Sequence, residues 1–361
     1  MRLLHVVGTR PNFVKMAPVI AALRAADPDG RHVLVHTGQH YDRMMSGVFL
    51  EELGVPEPDH MLGVGSGSHA QMLGGVLESI APVLEAEEPE LVIVPGDVNS
   101  TLAAALACAH LRIPLAHVES GLRSFDRTMP EEVNRVLTDQ ISDLLYTHSP
   151  EAEVNLAAEG IDAGRVRLVG NTMIDSLVAL ESRFKDRGAC TAHGVEPGSY
   201  LLVTLHRPAL VDGELLAPAI ERLSAIAAEM PVLFPVHPRT RAALGDAAGR
   251  LPAGLKLLEP VGYLDFLSLE ADARAVLTDS GGIQEETTYL GVRCFTLRDN
   301  TERPITVEAG TNELLGLDPE RIAEIPALIA SASEAPAEPP PLWDGRAAER
   351  LAADVAEYLG A

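Results

Sequence analysis

Lysine is nearly missing from this chain. Only Lys15, Lys185 and Lys256 occur in 361 residues, against 52 acidic side chains, and the formal net charge is −24. That charge excludes nucleic acid as a main partner, because phosphate backbones are bound through Lys and Arg. It also means that an anionic substrate has to be met by a local basic site. Cysteine is scarce as well: Cys108, Cys190 and Cys294 are scattered, and an odd, unpaired set makes neither a disulfide framework nor a zinc site. No apolar run approaches the ~18 residues of a membrane span, and the apolar part of MRLLHVVGTRPNF is too short for a signal peptide. A reduced, soluble, cytoplasmic protein with no membrane partner is expected. HExxH, GxSxG and a GxGxxG after the first strand are also absent. The histidines His36 and His40 of HTGQH have i,i+4 spacing, but they fall on a strand end and loop, where helical spacing has no meaning. No metal and no cofactor are expected.

What is present is a repeating pattern. Short apolar runs at 3–8, 32–38, 91–97, 114–120, 144–149 and 166–170 alternate with longer helical stretches. The pattern restarts at 200–207 and continues through 232–237, 255–260, 275–280 and 292–297. Strands alternating with helices predict parallel sheets covered on both faces, and the length suits two α/β domains. The polar stretch Lys185–Ser199 reads as the linker between them, and the Pro-rich 334–345 as a connector to a last amphipathic helix. In two such domains ligands are expected in a cleft at the C-terminal ends of the strands.

The polar residues of interest sit at those strand ends. GTRPNFVK offers a tight turn at Gly8, a helix start, Arg10 and Lys15, a set suited to an anion and equally to an ordinary βα turn. Asp97 follows a strand and, taken alone, reads as a helix N-cap. Glu119 ends an otherwise buried strand, where a carboxylate is costly unless used. Glu131 and Glu132 follow Pro130 at a helix start, which the helix dipole favours. Asp97, Glu119 and Glu131 come from adjacent elements, and crowded carboxylates raise one another's pKa, as proton transfer at carbon needs. In the second half, TLHR places His206 and Arg207, and PVHPR places His237 and Arg239, at successive strand ends, a pattern that reads as phosphate contacts. DSGGIQEE then sets Ser280, Gly281 and Gly282 at a helix start, with Glu286 one turn later. A diphosphate on the glycine turn and a ribose on the carboxylate together describe a nucleotide. Val261–Leu269 is placed to hold its base.

In combination and order, GTRPNF, PGD, HVESGLRS, PEEVNR, GNTMID, TLHR, DSGGIQEE and TERP resemble the non-hydrolysing UDP-N-acetylglucosamine 2-epimerases over nearly the whole chain. The resemblance implies a glycosyltransferase-B-like α/β fold: an N-terminal Rossmann-like domain over 1–172 with the carboxylate cluster, a UDP-binding Rossmann-like domain over 173–344, and a C-terminal helix at 345–361 packed back on the first. It implies a homodimeric isomerase that interconverts UDP-GlcNAc and UDP-ManNAc without metal or nicotinamide, through loss of UDP to 2-acetamidoglucal and its re-addition. It makes Asp97, Glu119 and Glu131 the acid/base group, without saying which serves which face, and gives His206 the departing diphosphate. Arg10, Lys15, Ser280 and Gly281 hold phosphates, Glu286 the ribose, and Arg303 of TERP points at the same site. Three places depart from the family pattern. Leu210 stands where an Asn is usual, Val98 replaces a Thr, and GVGSGSHAQ lacks the Arg-Gln pair that many bacterial members use, with the residues matching Gln39 and His40, for an activating second substrate. Competing readings are a relative that hydrolyses the sugar nucleotide to ManNAc and UDP, a UDP-sugar glycosyltransferase of the same fold, and a non-catalytic sugar-nucleotide sensor.

Overall fold

The computed structural model of the chain describes residues 1–38, 50–331 and 338–360. Gln39 and His40 lie outside the described residues. The chain divides into two compact units, Met1–Ala179 with Pro341–Ala361, and Leu180–Pro340.

The strands of the first unit are β1 (Arg2–Val7), β2 (Arg31–His36), β3 (His60–Met61), β4 (Leu91–Pro95), β5 (Leu115–Val118), β6 (Leu144–Thr147) and β7 (Val166–Leu168). Among the described residues they form one sheet in the order β3-β2-β1-β4-β5-β6-β7, parallel throughout. Both faces are buried, which is why the runs are continuously apolar rather than alternating. Leu3 and Val7 enter one core with Phe13, Met16 and Ile20, whereas Leu4 and Val6 enter the other with Ile80, Leu84 and Ala104.

The C-terminal helix Ala347–Leu359 belongs to this unit. Ala348, Leu351, Ala352 and Val355 share a core with the first helix, Arg10–Ala26. The Asp175 carboxylate accepts from the amides of Ala347 and Ala348 at 3.1 and 2.7 Å, satisfying two donors that a helix start leaves open. The Tyr146 hydroxyl and Arg167 both donate to Asp354 on the same helix.

The second unit carries β8 (Leu201–Thr204), β9 (Val232–Pro235), β10 (Leu255–Leu258), β11 (Ala275–Thr278), β12 (Arg293–Thr296) and β13 (Asn312–Leu314), in the parallel order β10-β9-β8-β11-β12-β13. Leu201, Val203, Phe234 and Leu277 face one core, and Leu202, Leu233 and Val276 the other. The polar stretch Lys185–Ser199 contains a helical turn, Ala189–Ala192, and its Ala189, Cys190 and Val195 are buried in this unit's core.

Both units are thus Rossmann-like. In each, the strand order reverses direction at one place: between β1 and β4 in the first and between β8 and β11 in the second. The turns that leave adjacent parallel strands in opposite directions open a crevice there, and ligands of such sheets bind in it. Strands β3 and β13 were not expected from the sequence. Their residues, His60–Met61 and Asn312–Leu314, form no apolar run of the kind that marks the other strands.

Candidate active site

In the first unit, the turns after β1, β4 and β5 meet at the switch point. Gly8 packs so closely on the start of the helix Asn99–Leu111 that a Cβ there would lie 2.8 Å from the Ser100 Cβ. Asn12 accepts from the Gly8 and Thr9 amides at 3.0 and 3.2 Å. Those two amides, expected to be available to an anion, are used to fix the turn. Arg10 is exposed at the helix start. Lys15 is buried and ion-paired with the buried Glu119, so it braces that carboxylate.

Glu119 itself has φ of 67°, a left-handed conformation that costs a non-glycine residue about 1–3 kcal/mol. The carboxylate and its lysine flank Gly96: a Cβ on Gly96 would lie 3.1 Å from Glu119 Oε2 and 3.2 Å from Lys15 Nζ. The next residue is Asp97. It is not the N-cap of its helix, a place taken by Val98, and it makes no capping bond. Instead the Arg135 guanidinium donates to Asp97 Oδ2 at 3.0 Å, Asn134 Nδ2 donates to the Asp97 carbonyl at 2.8 Å, and His117 Nε2 lies 2.7 Å from the Gly96 carbonyl.

Arg135 and Asn134 belong to the helix Pro130–Ile141, whose second residue is the half-buried Glu131. Asp97 and Glu119 therefore lie together, and Glu131 starts the helix that holds Asp97. Glu132 does something else. It is buried, accepts from the Ser124 amide and hydroxyl and the Phe125 amide, and receives Arg135 at 2.6 Å. Burial alone would raise its pKa, but the Ser124 amide and Arg135 outweigh it and hold the carboxylate below its usual range.

In the second unit, the turns after β8, β9 and β11 and the segment after β12 converge. Asp279 is buried and ties the turn after β8 to the turn after β11: it accepts from the amides of His206 and Arg207 at 2.8 and 2.7 Å and faces His206 Nδ1 at 3.0 Å. Burial opposes its ionisation, but His206 and these amides prevail and lower its pKa. Arg207 Nε donates to the Asp279 carbonyl at 2.8 Å, so this guanidinium also secures the turn. The half-exposed His206 ring lies 6.1 Å from the exposed His237 ring.

Ser280 occupies the N-cap position of the helix Gly281–Leu290, but its hydroxyl makes no cap bond. The simple capping reading therefore fails for it. The first amides of that helix, on Gly281, Gly282 and Ile283, have no intrahelical acceptor and carry the positive end of the dipole. A Cβ on Gly281 would collide with the Arg303 guanidinium, which lies against this turn, with Nε 3.0 Å from Glu285. Glu286 is buried one turn on, and the Tyr263 hydroxyl donates to it at 2.8 Å. Burial pushes the Glu286 pKa up to about 7, opposed by the Tyr263 hydroxyl and assisted by the charge of Glu285.

A glycine-rich amide cradle with a cation and a carboxylate one turn later suits a diphosphate joined to a diol. The carboxylate group of the first unit suits proton transfer. The model of the UDP-N-acetylglucosamine 2-epimerase family matches residues 22–356. The chain belongs to this family. Its relatives include a UDP-N-acetylglucosamine 2-epimerase of Methanocaldococcus jannaschii, 43% identical over 332 residues, which covers 89% of this chain and 90% of that one. A crystal structure of the UDP-GlcNAc 2-epimerase from the same organism, in complex with UDP-GlcNAc and UDP, superimposes with a TM-score of 0.90 at 40% identity, over 99% of this chain and 100% of that one. A UDP-2,3-diacetamido-2,3-dideoxy-D-glucuronate 2-epimerase of Pseudomonas aeruginosa is 40% identical over 328 residues, 90% of this chain and 91% of the relative. The glycosyltransferase of kitacinnamycin shares the fold alone, with a TM-score of 0.61 at 14% identity.

The departures from the family pattern have local explanations. Leu210 is fully buried in the core of the second unit, where an amide would need partners. Val98 is an N-cap without a side-chain bond. In GVGSGSHAQ, Ser68 and Gln71 cap the helix His69–Glu87 reciprocally. Sequence reasoning missed Arg135, Asn134, Asp279 and Tyr263, which position the carboxylates and His206. The i,i+3,i+4 spacing of Glu131, Asn134 and Arg135 is the one legible sign, since it places all three on one helix face.

Proposed function

We propose that this protein interconverts UDP-GlcNAc and UDP-ManNAc by elimination and re-addition of UDP. The observation that carries the reading is the grouping of Asp97, Lys15 and Glu119 at the first switch point, with Glu131 on the helix that holds Asp97, in a chain of this family. One carboxylate removes the C2 proton while the C1–O bond to UDP breaks, and the pair of electrons from C2–H forms the C1–C2 double bond of 2-acetamidoglucal. A proton is then delivered to C2 from the opposite face, and UDP adds back to C1. Lys15 pairs with Glu119 and Arg135 donates to Asp97, so each carboxylate is held in place by a cation.

The diphosphate lies on the amides of Gly281 and Gly282 with Ser280, His206, His237, Arg207 and Arg303 around it, and Glu286 takes the ribose hydroxyls. Arg10, exposed at the start of the first helix, adds positive charge at the first switch point. In this reading the enzyme is a cytoplasmic homodimer, in keeping with its family resemblance and its three buried, free cysteines.

Proton NMR with UDP-GlcNAc in heavy water tests the proposal. UDP-ManNAc with deuterium at C2 and no build-up of free UDP is the expected result. Accumulation of ManNAc and UDP would make the enzyme a hydrolase. The diacetamido-glucuronate relative makes UDP-2,3-diacetamido-2,3-dideoxy-D-glucuronate the second substrate for the same assay. Absence of exchange with either sugar would refute the reading.

A further inference from the structure

His117 is fully buried on β5, two residues before Glu119, and the proposed mechanism leaves it idle. Both nitrogens of its ring are in contact. Nδ1 lies 2.6 Å from Asp139 Oδ1, and Nε2 lies 2.7 Å from the Gly96 carbonyl. A carbonyl can only accept, so Nε2 carries a hydrogen. The state of Nδ1 then depends on Asp139. Through Oδ2 that carboxylate accepts from the Gly121 amide at 3.1 Å and pairs with the buried Arg123 at 2.7 Å. Burial opposes its ionisation, but His117 and Arg123 outweigh burial and hold the carboxyl below its usual range. An ionised carboxylate also only accepts. Both ring nitrogens therefore face acceptors. The alternative, a neutral ring accepting from a protonated Asp139, would leave the buried guanidinium beside an uncharged acid.

The charges balance along a line. His117 meets Asp139, Asp139 meets Arg123, and Arg123 meets Glu159 at 2.7 Å, so cation and anion alternate. With a neutral ring, one guanidinium would serve two carboxylates, one of them fully buried, and an uncompensated buried charge is costly. The other end of the ring reaches the acid/base group. Gly96 has a φ of 62°, its amide donates to the Val118 carbonyl at 2.9 Å, and its carbonyl faces His117. Around this turn stand Asp97 with Arg135, and Glu119 with Lys15.

We propose that His117 is a buried imidazolium that fixes the turn carrying Asp97 and places a positive charge one peptide away from it. His117 is a positioning residue, since it acts on Asp97 through the Gly96 peptide. A nearby cation favours the ionised form of a carboxylate, so the ring helps to keep this group available as a base. That consequence rests on the proposed epimerase reading. The charge of the ring does not.

Neutron diffraction from crystals of the unaltered protein in heavy water at about pH 8 reads the ring directly, because an ordinary histidine, with a pKa of ~6.5, is neutral there. Deuterium on both His117 nitrogens is expected. Deuterium on Nε2 alone would overturn the proposal, whatever the enzyme's activity. The effect on the reaction is read with Asp139→Asn, whose amide keeps the shape, can donate to Nδ1 and lets the ring go neutral. The low-pH limb of kcat/KM for C2 exchange with UDP-GlcNAc should move up by about half a pH unit, because the carboxylates lose a nearby cation. A rate lowered equally at every pH, with the limb unmoved, would overturn the electrostatic role. If the unaltered enzyme exchanges no C2 proton, the epimerase reading falls, and the neutron result still decides the charge of His117.

Discussion

At the scale of single residues, the least expected group is Glu270. It is fully buried on the helix Tyr263–Ala271, and neither carboxylate oxygen has a hydrogen-bond partner among the described residues. Burial and the neighbouring Glu286 hold its pKa well above the usual carboxylate range. Glu286, with Tyr263 donating to it and Glu285 beside it, rises from 4.5 to about 7. Between those values the native state binds a proton that the unfolded chain does not. This contribution therefore lowers stability as pH rises through the window. Binding of a ribose diol runs the other way, because an ionised carboxylate accepts two hydroxyls and a protonated one does not. UDP affinity should rise with pH and level off above about 7, which calorimetry across that range would read. A flat profile would mean that Glu286 does not meet the ribose. Glu270→Met removes a buried acid without a partner and keeps its volume, and should stabilise the protein by about 1–3 kcal/mol in a thermal melt. A fall in the melting midpoint would show that the carboxyl has a use.

At the scale of elements, the two helix starts that matter are built differently. The first helix begins on a turn whose amides Asn12 satisfies, and what it contributes to the site is Lys15. The helix Gly281–Leu290 begins without an internal cap, and Arg303 closes over it. By helix propensity, Gly281→Ala would gain about 1 kcal/mol. The collision of its Cβ with the guanidinium reverses that expectation, because Arg303 must leave Glu285 or the turn must open. UDP binding should weaken about ten-fold, the equivalent of one charge-assisted hydrogen bond. An unchanged Kd for UDP would remove the glycine turn from the diphosphate site.

At the scale of the molecule, two units with separate cores divide the work. The residues proposed to hold the nucleotide lie in Leu180–Pro340, and the carboxylates proposed for proton transfer in the unit containing Met1–Ala179. Hydrogen exchange with and without UDP should therefore slow most at the helix Gly281–Leu290 and at the end of β8, and less along β1 and β4. Protection concentrated at β1 and β4 would reverse the assignment of the two units.

Much of this was legible in the chain. Buried runs on both sheet faces produce unbroken apolar stretches, so the strands of two parallel α/β units can be read in order, and their ends mark Asp97, Glu119, His206 and Ser280. The order of the motifs along the chain is enough to place it in its family. What only the tertiary structure decided is who holds whom. Lys15 meets Glu119 across 104 residues, Arg135 meets Asp97 across 38, and the helix Ala347–Leu359 is capped by Asp175 across 172. No local period encodes such pairings, because they arise when sheet order brings distant turns to one switch point. The same holds for the left-handed backbone of Glu119 and Phe125, which no residue type announces and which only the packed surroundings can enforce.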